Sequence, residues 1–174
     1  MYNLQNMIDT NLMLQATSSI DNQGLKNMFH VLIPKGDGYE HYFVPWDTDQ
    51  SLGVVWSHEK KDFAHNFIQA WKERVQRKET VAMAKLHPDY YQQEAARWFE
   101  LRQWLLVEEE WHSYVDEIYG YLADSGAFER DEKLWGMRYG TNSVETLDTI
   151  STLKRFITSR FAYLDEYYAE LLEK

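Results

Sequence analysis

The sequence predicts a mainly α domain with one small β-hairpin near its beginning, an α+β chain. Three observations predict it. Beyond Ser57, apolar residues recur almost everywhere at the three- and four-residue spacing of amphipathic helices. A run of strand formers, Met28-Phe29-His30-Val31-Leu32-Ile33, is followed by the turn chemistry of Pro34-Lys35-Gly36-Asp37-Gly38 and a return strand from Tyr39 to Pro45. No linker, repeat or low-complexity tract divides the 174 residues, a length that suits one domain with a sizeable core.

The elements follow in order. Leu4, Met7, Ile8, Leu12, Leu14 and Ile20 mark a first helix, ending in the polar cluster Ser18-Ser19 and Asp21-Asn22-Gln23-Gly24. The hairpin comes next, then the polar loop Trp46-Asp47-Thr48-Asp49-Gln50-Ser51-Leu52-Gly53. Phe63, Phe67, Trp71 and Val75 keep an i,i+4 rhythm. Pro88 is expected in the first turn of a helix through Ala95, Trp98, Leu101 and Leu105. Trp111, Tyr114, Val115, Ile118 and Leu122 form a further stripe, closed near Gly126. Phe128 to Trp135 is a shorter helix. Asn142 as N-cap, with Glu145 three residues on, opens the last one, whose stripe runs through Ile150, Leu153, Ile157, Phe161, Leu164, Tyr168 and Leu171. Residues 1–56 thus carry the polar loops and the hairpin, and 57–174 a helical bundle. A two-stranded hairpin is marginal in water, so it must lie on these helices or pair with strands outside this sequence.

Composition narrows the function. Hydrophobic residues make up 44% and aromatic residues 16%, which is a folded chain whose tryptophans and tyrosines are expected in the core. The net charge of −10 opposes binding to nucleic-acid phosphates or anionic lipid and suits divalent cations. With no cysteine there is neither a disulfide framework nor a thiolate zinc site. No apolar run reaches the length that spans a bilayer, and Met1-Tyr2-Asn3-Leu4 has no signal-peptide pattern.

The order helix, Asp21 loop, hairpin, Asp47-x-Asp49 matches what phosphoryl transfer to a hydroxyl needs. That chemistry takes one carboxylate near the acceptor, an amide oxygen on a metal, and a further carboxylate on the metal that bridges the phosphates. Asp21 can accept the acceptor's proton, Asn27 can supply a metal oxygen, and Asp47 and Asp49 can hold Mg²⁺ or Mn²⁺, which favour hard oxygen ligands. Lys26 can neutralise phosphate charge. The metal-binding Asn of common protein kinases follows the catalytic Asp by five residues; here the fifth is Lys26 and Asn27 is the sixth. With no His-Arg before Asp21 and no Asp-Phe-Gly after the hairpin, an ordinary protein kinase is excluded.

These segments resemble the CotH family. Asp21-Asn22-Gln23-Gly24-Leu25-Lys26-Asn27 is similar to its Asp-Asn…Lys-Asn segment, and Val44-Pro45-Trp46-Asp47-Thr48-Asp49-Gln50-Ser51-Leu52-Gly53 to its Pro-Trp-Asp-x-Asp…Gly signature. Three helical segments extend the likeness: Ala96 to Arg102, resembling a Tyr-x-x-Leu-Arg helix; Arg130 to Trp135, resembling an acidic-basic stretch ending in Trp; and Ile157 to Asp165, resembling an Arg-x-x-x-Leu-Asp helix. The resemblance implies an atypical kinase that phosphorylates protein serine, using ATP with Mg²⁺ or Mn²⁺. Its known settings are the spore coat, the cell surface and secretion. It implies the helical C-lobe of a kinase-like fold, Asp21 in the catalytic loop and Asp47 as metal carboxylate, with the choice between Asp47 and Asp49 open. The likeness covers the later part of the family's domain. No Gly-rich nucleotide loop occurs, so weak ATP binding and inactivity in isolation are expected.

Other readings stand beside this one. Asp21 and Asn22 after a helix are also common turn formers. A binding module that keeps the fold without phosphoryl transfer is the rival function. His58, Asp62 and His65 share a helical face but are expected to be a solvated helix start, since no zinc pattern accompanies them. Ile150, Ile157, Leu164 and Leu171 are near-heptad and suit either a dimer seam or packing within the chain. Exposed apolar surface at a lobe boundary is a second route to self-association.

Overall fold

The computed structural model describes residues 1–19, 21–22, 26–53, 84–135 and 150–173. Five helices and one hairpin lie within them: α1 (Leu4–Thr17), β1 (Met28–Lys35), β2 (Gly38–Pro45), α2 (Tyr90–Leu101), α3 (Glu108–Asp124), α4 (Ala127–Trp135) and α5 (Ile150–Leu172). The mainly helical chain with a single hairpin is as the sequence predicts. The rhythm of Phe63 to Val75, His58, Asp62 and His65, and the Asn142–Glu145 cap lie outside the described residues.

Helix α1 begins where Asn3 Oδ1 accepts a hydrogen bond from the Asn6 amide at 2.7 Å, satisfying one of the free N–H groups of the first turn. It stops at Thr17, before the Ile20 that its apolar spacing reached. Ser18 turns left-handed at φ 55, and the amides of Ser18 and Ser19 bond back to the carbonyls of Gln15 and Leu14. That pair of bonds is a Schellman closure, with serine where glycine usually sits.

The hairpin is antiparallel, with register from Met28↔Pro45 to Lys35↔Gly38. Pro34, Lys35 and Gly38, expected in the turn, belong to the strands; the turn is Gly36-Asp37, where Gly36 supplies the positive φ of 58 that a primed hairpin turn requires. Pro34 is tolerated because β1 is an edge strand. The hairpin does not stand alone. Tyr2 bridges His41 in parallel, with Asn3 N donating to His41 O at 2.9 Å and His41 N to Met1 O at 2.8 Å. From α1, the Asn6 side chain pairs with both backbone groups of Phe43, at 3.1 and 2.7 Å, as a neighbouring strand would.

The core lies between α1, α2 and α5. Ile8, Leu12, Ala95, Trp98, Ile157, Phe161, Leu164 and Tyr168 are fully or almost fully buried there. Each large side chain contributes about 1.5–3 kcal/mol by leaving water. Phe161 is the hub, edge-on to Trp98 at 6.0 Å and to Trp111 at 5.3 Å. Ile157 and Leu164, the middle of the near-heptad seam, are buried among the chain's own helices. Pro88 sits in the turn before α2, which opens at Tyr90 behind Asp89, and Leu105 falls in the turns after the helix ends at Leu101.

Helix α3 departs from expectation. None of its side chains is fully buried; Trp111 and Val115 lean on the core, while Tyr114 and Ile118 are 67% and 50% exposed. Its attachment to α5 is largely polar: Lys154 Nζ meets Asp116 at 2.5 Å, and Thr158 Oγ1 donates to Glu108 Oε1 at 2.5 Å.

Candidate functional site

The C-terminal end of α1 is the point at which the two polar segments singled out in the sequence meet. After the Ser18 reversal the chain enters the Asp21–Asn27 loop, runs out and back along the hairpin, and returns through Trp46–Gly53. Leu52 N closes the circuit by donating to Thr17 O at 2.6 Å. Because these are carbonyls of the last helical turn, the partial charge at this end is negative and favours a cation nearby.

Asp21 is held from two sides. Lys26 Nζ donates to its Oδ1 at 2.5 Å and Asn27 Nδ2 to its Oδ2 at 3.0 Å. The lysine is largely exposed, so the pair contributes little stability, about 0–1 kcal/mol, and its effect is to aim the carboxylate. The amide of Asn27 is oriented by the same bond. Its oxygen has no hydrogen-bond partner among the described residues and is the kind of neutral donor a hard cation accepts.

The second segment is tied to the first through backbone. Trp46 N donates to Asn27 O at 2.9 Å. Asn22, fully buried, uses both hydrogens of its carboxamide, on Asn27 O at 2.8 Å and on Trp46 O at 2.7 Å. Trp46 itself is exposed and packs edge-on against Phe29 at 5.4 Å. Asn22 is the residue that sequence reasoning passed over, as one polar turn former among several. Only the closeness of residues 27 and 46 reveals its part, although the adjacency of Asn22 to Asp21 in a motif was on view.

Asn27 and Asp47 both have left-handed backbones, at φ 52 and 53. Asn and Asp tolerate this region better than other non-glycine residues, but it still costs energy and persists where surroundings enforce it. Asp47 is exposed and makes no hydrogen bond or ion pair among the described residues. Asp49, also exposed, accepts from Gln50 Nε2 at 3.0 Å. Among the described residues no group of three or more histidines and carboxylates comes together in the manner of an all-protein metal cage. Magnesium seldom needs one: it keeps several waters and takes one or two carboxylates plus substrate phosphates. An Asp47 carboxylate unengaged among the described residues and an oriented amide oxygen on Asn27 fit that pattern; Asp49 is the less open of the two acids.

Two of the helical segments that carried the family likeness, Ala96 to Arg102 and Ile157 to Asp165, bond to one another and back to α1. Trp98 Nε1 and the Arg102 guanidinium both reach Asp165. Arg97 pairs with Asp9 at 2.9 Å. Arg160 is buried and its Nε donates to Gln15 O at 2.8 Å, with Nη2 on the Gln15 side chain at 3.1 Å. Burial lowers the Arg160 guanidinium to about 10, which leaves it charged at neutral pH against the carbonyl end of α1. These residues brace the helix that leads into Asp21 and make no contact with Asp21 or Asp47 themselves.

No helix among the described residues is long and apolar enough to cross a membrane. A family model described as CotH kinase protein matches residues 3–164. No curated protein and no solved structure matches the chain.

Proposed function

The chain belongs to the CotH kinase protein family, and from that premise we propose that it carries the acceptor and metal end of an atypical protein kinase, moving the γ-phosphoryl group of ATP to a serine hydroxyl of a protein. The single observation that carries the reading is the junction of the two polar segments, with Asp21, Asn27 and the turn of Asp47 drawn together by Asn22 and Trp46.

In this reading Asp21 orients the serine hydroxyl and takes its proton as the oxygen attacks phosphorus. The new O–P bond forms while the bond from phosphorus to the bridging oxygen breaks, and ADP leaves with that electron pair. Lys26 steadies Asp21 and offers positive charge to the phosphates. Asp47 and Asn27 are the residues that would hold Mg²⁺ or Mn²⁺, with Asp49 as an outer carboxylate. A bound cation would draw together the phosphate oxygens and offset the charge that develops on them. Positioning and charge neutralisation supply most of the rate. The helices α1, α2, α3 and α5 would correspond to the C-lobe of a kinase-like fold. Because no Gly-rich segment is available to cradle phosphates, these residues by themselves are proposed to hold nucleotide weakly.

The test is label transfer from γ-labelled ATP with Mg²⁺ or Mn²⁺ to serine-rich acceptors, using the natural full-length protein, beside its Asp21→Ala and Asp47→Ala variants. Incorporation that falls at least about 10²-fold in both variants, the scale of a lost acid–base group, supports the reading. Incorporation that survives both, or a folded full-length protein with none, would leave the binding module as the better account.

A further inference from the structure

We infer that Asn22 is a positioning residue for phosphoryl transfer, setting the backbone on which the proposed metal ligands Asn27 and Asp47 stand. The inference rests on the reading above and goes beyond it, since Asn22 touches neither substrate nor metal.

The geometry is specific. A hydrogen bond to a carbonyl fixes the peptide plane of which that carbonyl is part. The bond from Asn22 Nδ2 to Trp46 O, at 2.7 Å, holds the peptide plane between Trp46 and Asp47, the plane on the N-terminal side of the Asp47 φ bond. The bond to Asn27 O, at 2.8 Å, fixes the plane that follows Asn27. Asn27 and Asp47 are left-handed, so each needs an outside restraint to stay there. One buried carboxamide holds a peptide plane beside each of them, and by bonding the two segments at once it sets the distance between their backbones.

The side-chain chemistry leaves few substitutes. The role requires two N–H donors on one short side chain. Aspartate matches the shape but would turn acceptors toward two carbonyls. Glutamine carries the donors one methylene too far. Serine and threonine have one donor each. Asn22 is fully buried, its two N–H bonds are both made, and among the described residues its Oδ1 has no partner.

The experiment is Mn²⁺ binding followed by electron paramagnetic resonance of free Mn²⁺, on the chain, on Asn22→Ala, and on Phe161→Ala as a destabilised control in the helical core. Each is measured at a temperature at which circular dichroism shows it folded. Asn22→Ala is expected to weaken Mn²⁺ binding at least about 10-fold, the usual effect of removing a residue that orients a ligand. Phe161→Ala should stay within about twofold of the parent chain, since loss of stability alone does not alter the folded site. Asn22→Ala binding as tightly as the parent would overturn the inference and leave the kinase reading standing. No Mn²⁺ binding by the parent chain would defeat both. If Asn22→Ala does not fold, the parent protein still decides: sub-stoichiometric Mn²⁺ must broaden the side-chain amide resonances of Asn22 before those of Asn11, and the reverse order overturns the inference.

Discussion

Trp98 Nε1 donates to Asp165 Oδ1 at 2.7 Å, while Arg102 reaches the same carboxylate through Nε at 3.1 Å and Nη2 at 3.2 Å. One acid therefore satisfies the indole of the largest buried side chain and pairs with a guanidinium, joining α2 to α5 beside Phe161.

Asp165→Ala leaves the Trp98 N–H buried and unpaired, which costs about 1–3 kcal/mol, and removes a part-buried ion pair as well. A loss of about 2–3 kcal/mol is expected in urea unfolding. Asp165→Asn keeps an acceptor for the indole and should lose less. Equal losses in the two variants would show that the Trp98 bond carries little of the effect.

Phe161→Ala opens a cavity at the hub where Trp98 and Trp111 meet edge-on and Arg102 lies 4.9 Å from the ring centre. Large aromatic truncations of this kind cost about 3–5 kcal/mol. A midpoint shift corresponding to less than about 1 kcal/mol would mean that the three helices do not share this core.

Ser18→Gly is expected to stabilise the protein by about 0.5–1 kcal/mol. Serine at φ 55 holds a strained left-handed conformation, and its buried hydroxyl has no partner among the described residues. Glycine removes both costs and adds back some unfolded-chain entropy. A destabilised Ser18→Gly in the same urea assay would refute this account of the Schellman closure.

Burial raises the phenols of Tyr168 and Tyr90 above the ordinary tyrosine value, and that of Tyr167 to about 12. The unfolded chain begins to lose phenolic protons near pH ~10, where the folded chain still holds them. Above that point the folded state binds more protons, so stability falls as pH rises. The lowered Arg160 acts in the opposite direction, but it is one group against three. Urea midpoints should be level up to about pH 9 and decline between about pH 10 and 12. A midpoint that held steady through that window would place these phenols in water.

Much of this architecture is legible in the sequence. The hairpin was legible because Gly36-Asp37 sits between two runs of strand formers, and α1 and α5 because their stripes are long and regular. The candidate site was legible as a pair of polar segments, Asp21 to Asn27 and Asp47-x-Asp49. What escaped depends on which segments touch. Periodicity shows that α3 has an apolar stripe but not what covers it, so Tyr114 and Ile118 were expected in the core and are exposed. Pro88 is compatible both with a first helical turn and with the turn before it. Asn22 and Arg160 were seen only as members of motifs, since their partners lie 24 and 145 residues away.

The bond from Arg160 to Gln15 has a consequence for how the protein is made. Its two ends are separated by 145 residues, which a ribosome adds in ~7–30 s at ordinary elongation rates. Throughout that interval α1 exists without the guanidinium that closes its carbonyl end, and without the α5 side of the core it shares. Asp21 is thus synthesised well before Arg160, and its support is completed only when α5 docks. A nascent chain halted before Arg160 would present α1 to chaperones and proteases, and any catalytic competence has to wait for that docking.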